Sequence, residues 1–198
     1  MLFYIVMFIV FIPFTIIFPI KKIGKKKLKK YKGQNFIIAC NHMSNLDPIM
    51  LDVAFASKFK FLAKKELFKN KFFGSCLRSF GGIDIDRQNP SPSTIKQVFS
   101  VIDKKEHICI FPQGTRKKQP IIQEGEIKDG VAMFAVRTGT PVLPMMFNRK
   151  IRAFSRTKLY IGEPIFPDID RKKDKDYITE FSKIIETKMN ELLEGENK

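Results

Sequence analysis

A run of five apolar residues, Phe36-Ile37-Ile38-Ala39-Cys40, gives way to the polar stretch Asn41-His42-Met43-Ser44-Asn45 and then to Leu46-Asp47-Pro48. No other feature constrains the fold of this chain as much. The run is short and β-branched enough to be a buried strand. Asp47 followed by Pro48 reads as an N-cap and a first helical position, because Asp accepts from orphan helix N–H groups and Pro needs no N–H there. The expected order is strand, loop, then a helix to Phe55. The same change of period recurs downstream. Strand patterns fall at 59–63, 83–86, 107–111, 142–147 and 157–161. Helical patterns fall at 72–80, 94–104, 129 or 130 to 138, and 176–193, the last with Ile178, Phe181, Ile185 and Met189 on one face. Strands alternating with helices imply an α/β sheet covered on both faces.

Residues 1–20 carry no charged side chain and just reach the length that crosses a hydrocarbon core of about 30 Å. Basic residues follow this stretch rather than precede it, and it ends Phe-Pro-Ile, so an uncleaved membrane-anchoring helix is expected rather than a signal peptide. Pro13 and Pro19 also permit a kinked helix lying in one leaflet. The densest basic run, Lys21 to Lys30, comes next. Lys plus Arg number 36 against 20 Asp plus Glu, a formal net charge of +16, which calls for an anionic partner. A cluster attached to an apolar anchor favours an anionic phospholipid membrane, with the remainder of the chain on its cytoplasmic face. A nucleic-acid module would interleave basic and aromatic residues on one face, so no nucleic-acid partner is expected. At 198 residues, one domain over 31–198 behind an anchor and basic segment over 1–30 is the expected organisation.

The loop after the first strand carries an imidazole and a carboxylate five residues apart. Asp47 can hold one ring nitrogen of His42 while the other faces a reactant, the geometry of a general base. The same two residues also read as a helix cap beside a loop-edge histidine. Phe111-Pro112-Gln113-Gly114-Thr115-Arg116 follows a strand, where ligands collect in α/β sheets. Gly114 permits close backbone approach, Thr115 offers a hydroxyl and Arg116 a planar fork for phosphate. Read alone, the stretch is equally a turn followed by a solvated Arg-Lys pair. Arg87 is a second phosphate candidate and Lys65 a third, although Lys65 also reads as a solvated helix lysine. His107 lies inside a strand pattern and is structural. Cys40, Cys76 and Cys109 have no metal-ligand spacing and read as reduced core residues of a cytosolic compartment. A Cys40 nucleophile is a minor alternative, since nothing nearby in sequence lowers its pKa. Two histidines more than sixty residues apart, with no Cys pair, make a poor metal set.

Four blocks, Asn41-His42-x-Ser44-x-x-Asp47, Gly82-Ile83-Asp84-Ile85-Asp86-Arg87, Phe111 to Arg116, and Pro141-Val142-Leu143-Pro144, resemble in content and order the motifs of the glycerolipid acyltransferase family, whose best-known members are the lysophosphatidate acyltransferases. The resemblance implies a mixed sheet flanked by helices, with His42 as base and Asp47 as its orienter. It implies no cofactor and no metal, because an acyl carrier protein or coenzyme A thioester is an activated co-substrate. It further implies lysophosphatidic acid as acceptor, its head group held by Arg87, Arg116 and Lys65 with Gln113, Gly114 and Thr115. Absence of a Gly-x-Ser-x-Gly elbow agrees with direct transfer. The rivals are an acyltransferase for another lysophospholipid or an amine-linked lipid, and a catalytically silent, basic membrane-binding relative. Two positions depart from the family pattern, Gln113 where Glu is usual and Asp84 where an aromatic or aliphatic residue is usual. Gln keeps the length and an acceptor oxygen, so a Gln113→Glu exchange is expected to be mild.

Overall fold

The computed structural model describes residues 13–86 and 89–195. Seven strands form one sheet: β1 Ile20–Ile23, β2 Ile37–Cys40, β3 Lys60–Lys64, β4 Gly82–Ile85, β5 Ile108–Ile110, β6 Val142–Phe147 and β7 Thr157–Ile161. Their order is β1-β7-β6-β2-β5-β3-β4. All neighbours are parallel except β6 and β7, so the sheet is mixed as expected. Five α-helices connect it: α1 Asp47–Phe55, α2 Lys71–Ser79, α3 Pro92–Asp103, α4 Gly130–Thr138 and α5 Lys175–Glu194.

The buried strands are apolar on both sides, as a sheet covered by helices requires. Ile37 and Ala39 of β2 face a core built with Val98, Val131, Phe181 and Met189 from α3, α4 and α5. Ile38 and Cys40 face the other way, towards Met50 and Leu51 of α1, with Phe14, Phe18 and Leu28 packed around that core. Ser91 caps α3 through its hydroxyl, with Pro92 at the first helical position. Asp174 caps α5 by accepting from Asp176 and Tyr177 N–H groups.

The N-terminal region differs from expectation. The anchor expected over 1–20 falls, for residues 1–12, outside the described residues; residues 13–17 are helical, and among the described residues no helix is long and apolar enough to cross a membrane. Ile20–Ile23, expected to belong with the anchor and basic segment, is an edge strand paired with β7. Lys21 and Lys22 disguise it in the sequence, yet lysines are what an edge strand tolerates. Lys25–Tyr31 is a 3₁₀ helix whose Leu28 and Tyr31 pack on the α1 side of the sheet.

Candidate active site

Parallel strands deliver their following loops to one end of a sheet, and β2 and β5 are hydrogen-bonded neighbours. His42, two residues past β2, and the 111–116 stretch after β5 therefore meet. His42 Nδ1 lies 2.8 Å from Asp47 Oδ2, and the same oxygen accepts the backbone N–H groups of Met43 and Ser44 at 2.7 Å each. Asp47 is not the N-cap expected. It is the first residue of α1, Leu46 occupies the cap position without a side-chain hydrogen bond, and the carboxylate is spent on the loop and the imidazole. At the helix N-terminus the macrodipole still favours its negative charge. Asp47 is fully buried and its Oδ1 has no partner among the described residues. His42 keeps 11% of its side chain exposed, and its ring stacks on Phe111 at 4.3 Å between centroids. With Nδ1 held, Nε2 is the nitrogen left to meet a reactant.

Asn41 and Ser44 brace this loop. Asn41 exchanges hydrogen bonds with both backbone groups of Phe147 at the end of β6, accepting at 2.8 Å and donating at 2.9 Å, and also donates to the Pro120 carbonyl. Ser44 Oγ accepts from Leu46 N–H.

Gln113 is buried, its Oε1 3.4 Å from the His42 N–H, while its Nε2 donates to Glu126 Oε2 at 3.0 Å. The other oxygen of Glu126 pairs with Lys117, whose own N–H donates to the His42 carbonyl. Lys117, then Gln113 and the Gln123 N–H, hold the Glu126 carboxyl below its ordinary range. Glu126 escaped sequence reasoning because only the return of the 112–129 loop brings it to Gln113. Its presence argues against a mild Gln113→Glu exchange, because a carboxylate at 113 would face another.

Two cavities meet at Gly114, whose φ of +68° suits glycine and whose missing Cβ leaves room for the Lys128 side chain. One, of about 470 Å³, is polar and lined by Lys64, Glu66, Asp86, Thr115, Arg116 and Lys128 besides Gly114. The other, of about 310 Å³, runs into the α3–α4 side between Leu62, Ile95, Val98, Ile110 and Phe134, and its lip includes Phe111 and Lys128. The structure thus brings His42, Asp47, Gln113, Gly114, Thr115 and Arg116 to one end of the sheet. Lys64, the last residue of β3, lines the polar cavity, whereas Lys65, expected there, opens the following 3₁₀ turn and does not line it. Lys128 had no signal in the sequence. Arg87 lies outside the described residues.

The remaining candidates fall away from this site. His107 is at the far end of β5, stacked on Phe36 at 6.1 Å and tilted against Phe59, and burial lowers its pKa. Cys40 is completely buried, which pushes its thiol well up and removes it as a nucleophile; Cys109 is buried too, but Cys76, expected in the core, is exposed on α2. Asp84 ties β4 to α3, its carbonyl accepting from Thr94 Oγ1.

A buried, carboxylate-held histidine thus stands at one end of a mixed α/β sheet, near an apolar cavity and a charged one. Comparison with known proteins specifies the class. A family model described as Acyltransferase matches residues 19–148, and the chain belongs to that family. It is 31% identical over 180 residues to the 1-acyl-sn-glycerol-3-phosphate acyltransferase of Bacillus subtilis (strain 168), covering 87% of each chain. It is 32% identical to the enzyme of that name from Streptococcus pneumoniae over 73% of this chain, but spans 55% of that relative's length. The crystal structure of the 1-acyl-sn-glycerophosphate (LPA) acyltransferase PlsC from Thermotoga maritima superposes with a TM-score of 0.63 at 25% identity, over 87% of this chain and 71% of that one. The chain is an acyltransferase.

Proposed function

We propose that the chain is a 1-acyl-sn-glycerol-3-phosphate O-acyltransferase, transferring an acyl group from an acyl carrier protein or coenzyme A thioester to lysophosphatidic acid to give phosphatidic acid. The observation that carries this reading is the His42–Asp47 pair with Phe111, which stacks on the imidazole and lines the apolar cavity, while Gly114 joins that cavity to the one lined by Lys64, Arg116, Lys128, Glu66 and Asp86. The similarity to enzymes of that name supports it.

His42 Nε2 takes the proton of the acceptor hydroxyl as its oxygen attacks the thioester carbonyl. The new C–O bond forms, the C–S bond breaks, and the imidazolium returns the proton to the departing thiolate. Asp47 stabilises the imidazolium and fixes the ring so that Nε2 is the basic nitrogen. No residue needs to be acylated, because the thioester is already activated. Arg116, Lys128 and Lys64, with the Thr115 hydroxyl, are placed to hold the acceptor phosphate, and the cavity beneath Phe111 is apolar enough for hydrocarbon. Arg87 belongs to the same reading through its motif. The location proposed is the cytoplasmic face of the cell membrane, with the apolar N-terminal residues as anchor and the lysines that follow meeting anionic lipid.

An assay of the purified protein with a panel of lysolipid and amine-linked acceptors and both thioester types tests this reading. Lysophosphatidic acid is the expected preferred acceptor, and His42→Ala lowers turnover by at least about a hundredfold. Preference for another acceptor, or near-normal turnover by folded His42→Ala protein, refutes it.

A further inference from the structure

The sheet end that carries His42 is also where most of the large exposed apolar side chains gather. β3 leaves the sheet at that end, and the 3₁₀ turn Lys65–Phe68 and the start of α2 follow it directly. Phe72 there is 86% exposed, more than any other large apolar side chain described, with Phe73 at 47% and Leu67 also exposed. At the opposite edge of the sheet, β7 pairs antiparallel to β6, with Phe147 opposite Leu159, and β1 starts level with Thr157. The chain before β1 and the β6–β7 connection therefore reach the same end. They place Ile16 and Phe154 there, Phe154 at 80% exposure and its N–H donating to the Ile17 carbonyl. Six inter-strand spacings separate β1 from β4, about 29 Å. Two apolar prongs thus flank the mouth of the site on either side.

The Phe72 prong is rigid and basic. Asn70 caps α2 by accepting from the Phe73 N–H. Gly74 lets the helix lie against the preceding turn so closely that a Cβ would stand 2.8 Å from the Phe68 carbonyl oxygen. Arg78 sits over the Phe68 ring at 5.1 Å. Between residues 64 and 79 the chain carries Lys64, Lys65, Lys69, Lys71 and Arg78 against the single acid Glu66. Lys64, paired with Glu66 at 3.6 Å, lines the polar cavity, so this turn adjoins the site and the lysines that follow it carry the basic surface onto α2. Aromatic residues exposed beside lysines match the boundary between anionic head groups and acyl chains.

We propose that Phe72 and Phe73 insert into an anionic phospholipid surface, while Lys65, Lys69 and Lys71 meet its head groups. This contact is separate from the N-terminal segment, and it holds the sheet end that carries His42 against the bilayer. A lipid acceptor then passes from the membrane to the base without crossing bulk water; only this last consequence rests on the function proposed above.

The chain contains no tryptophan, so one introduced indole reports its own surroundings. In full-length Phe72→Trp protein bound to anionic vesicles, lipids brominated along their acyl chains quench the indole and its emission shifts to the blue. Ile169 is 61% exposed but lies beside Gly139, ahead of β6 and so at the opposite end of the sheet. Ile169→Trp stays unquenched on the same vesicles. Equal quenching at both positions, no quenching at 72 in vesicle-bound protein, or no vesicle binding each overturns the proposal. Phe72→Ser/Phe73→Ser protein should lose at least about fivefold of its turnover on acceptor embedded in anionic vesicles and retain turnover on acceptor in detergent micelles. Equal loss in micelles makes the pair structural. A raised KM for an acyl carrier protein thioester, with turnover on vesicles otherwise unchanged, makes the patch a docking site for the donor protein. Either result overturns membrane insertion. If the unsubstituted protein is inactive on lysophosphatidic acid in both settings, the acceptor assignment fails, while the quenching measurement still decides the membrane contact.

Discussion

Replacing Gln113 by Glu alters a single atom in shape but reverses a contact that holds the loop carrying His42. Nε2 of Gln113 donates to Glu126 at 3.0 Å; a carboxylate oxygen there would turn a charge-assisted hydrogen bond into a repulsion. The lost bond is worth about 1.5–3 kcal/mol. Two unit charges about 4 Å apart repel by roughly 4 kcal/mol at an effective dielectric near 20. Lys117 on the other oxygen of Glu126 and the 18% exposure of that side chain offset part of this. Swinging the new carboxylate aside relieves more, at the expense of the Gln113 contact with the His42 backbone. The residual displacement of the loop should cost roughly 1.4–2.7 kcal/mol in the barrier, a ten- to hundredfold loss of turnover. The pH dependence is distinctive. Like charges raise a carboxyl pKa, so on acidification one of the two carboxyls takes up a proton and donates to the other as the amide did. The deficit of Gln113→Glu relative to the unsubstituted protein should therefore shrink between pH 8 and pH 5. Glu126→Gln in the same chain restores a donor and an acceptor with roles exchanged, and turnover of the double variant should return to within about fivefold, a coupling that a double-mutant cycle measures. Steady-state transfer from a thioester to lysophosphatidic acid is the assay. The reasoning would be falsified by Gln113→Glu at wild-type turnover at pH 8, or by a double variant no better than the single one.

Asp47→Ala removes the acceptor of two buried backbone N–H groups as well as the imidazole partner, at about 1–3 kcal/mol for each stranded donor; denaturant titration should show a loss of at least 2 kcal/mol, larger than a missing helix cap gives. Asp52 is buried, its Oδ2 has no hydrogen-bond partner among the described residues, and desolvation, opposed by the Phe59 N–H and Lys58, raises its pKa to about 7. The folded state then holds a proton that the unfolded chain releases near pH 4, so Asp52 subtracts stability as pH rises from about 4 through 7. Asp52→Asn should match the unsubstituted protein in unfolding free energy at pH 4 and exceed it at pH 8, and equal stability of the two at pH 8 contradicts this sign. Deleting residues 1–12, which leaves β1 in place, should weaken vesicle binding, while residual binding to anionic vesicles should fall as salt rises; salt-insensitive residual binding counts against the lysines.

Local chemistry was enough to read the alternation of strands and helices, the end of α1 and the pairing of His42 with Asp47, because each depends on neighbours within a few residues. A period of two or 3.6, or a loop of five residues, is written along the chain itself. Elements whose surroundings are distant were illegible. Ile20-Lys21-Lys22-Ile23 is a strand only because β7 offers it an edge, and taken alone its lysines continue a basic run. Asp47 looked like a cap until the loop it encloses folded back onto its carboxylate. Glu126 meets Gln113, Lys128 stands at both cavities, and Lys64 rather than Lys65 faces one of them, through loop return and side-chain direction that no local pattern encodes. The amino-acid sequence by itself determined which residues can do chemistry and which segments must be buried, since these follow from side-chain type and period. Tertiary structure alone decided which of them share a site and which end of the sheet is both basic and apolar, because hydrogen bonds and charges act over a few ångströms in space, irrespective of the length of chain between them.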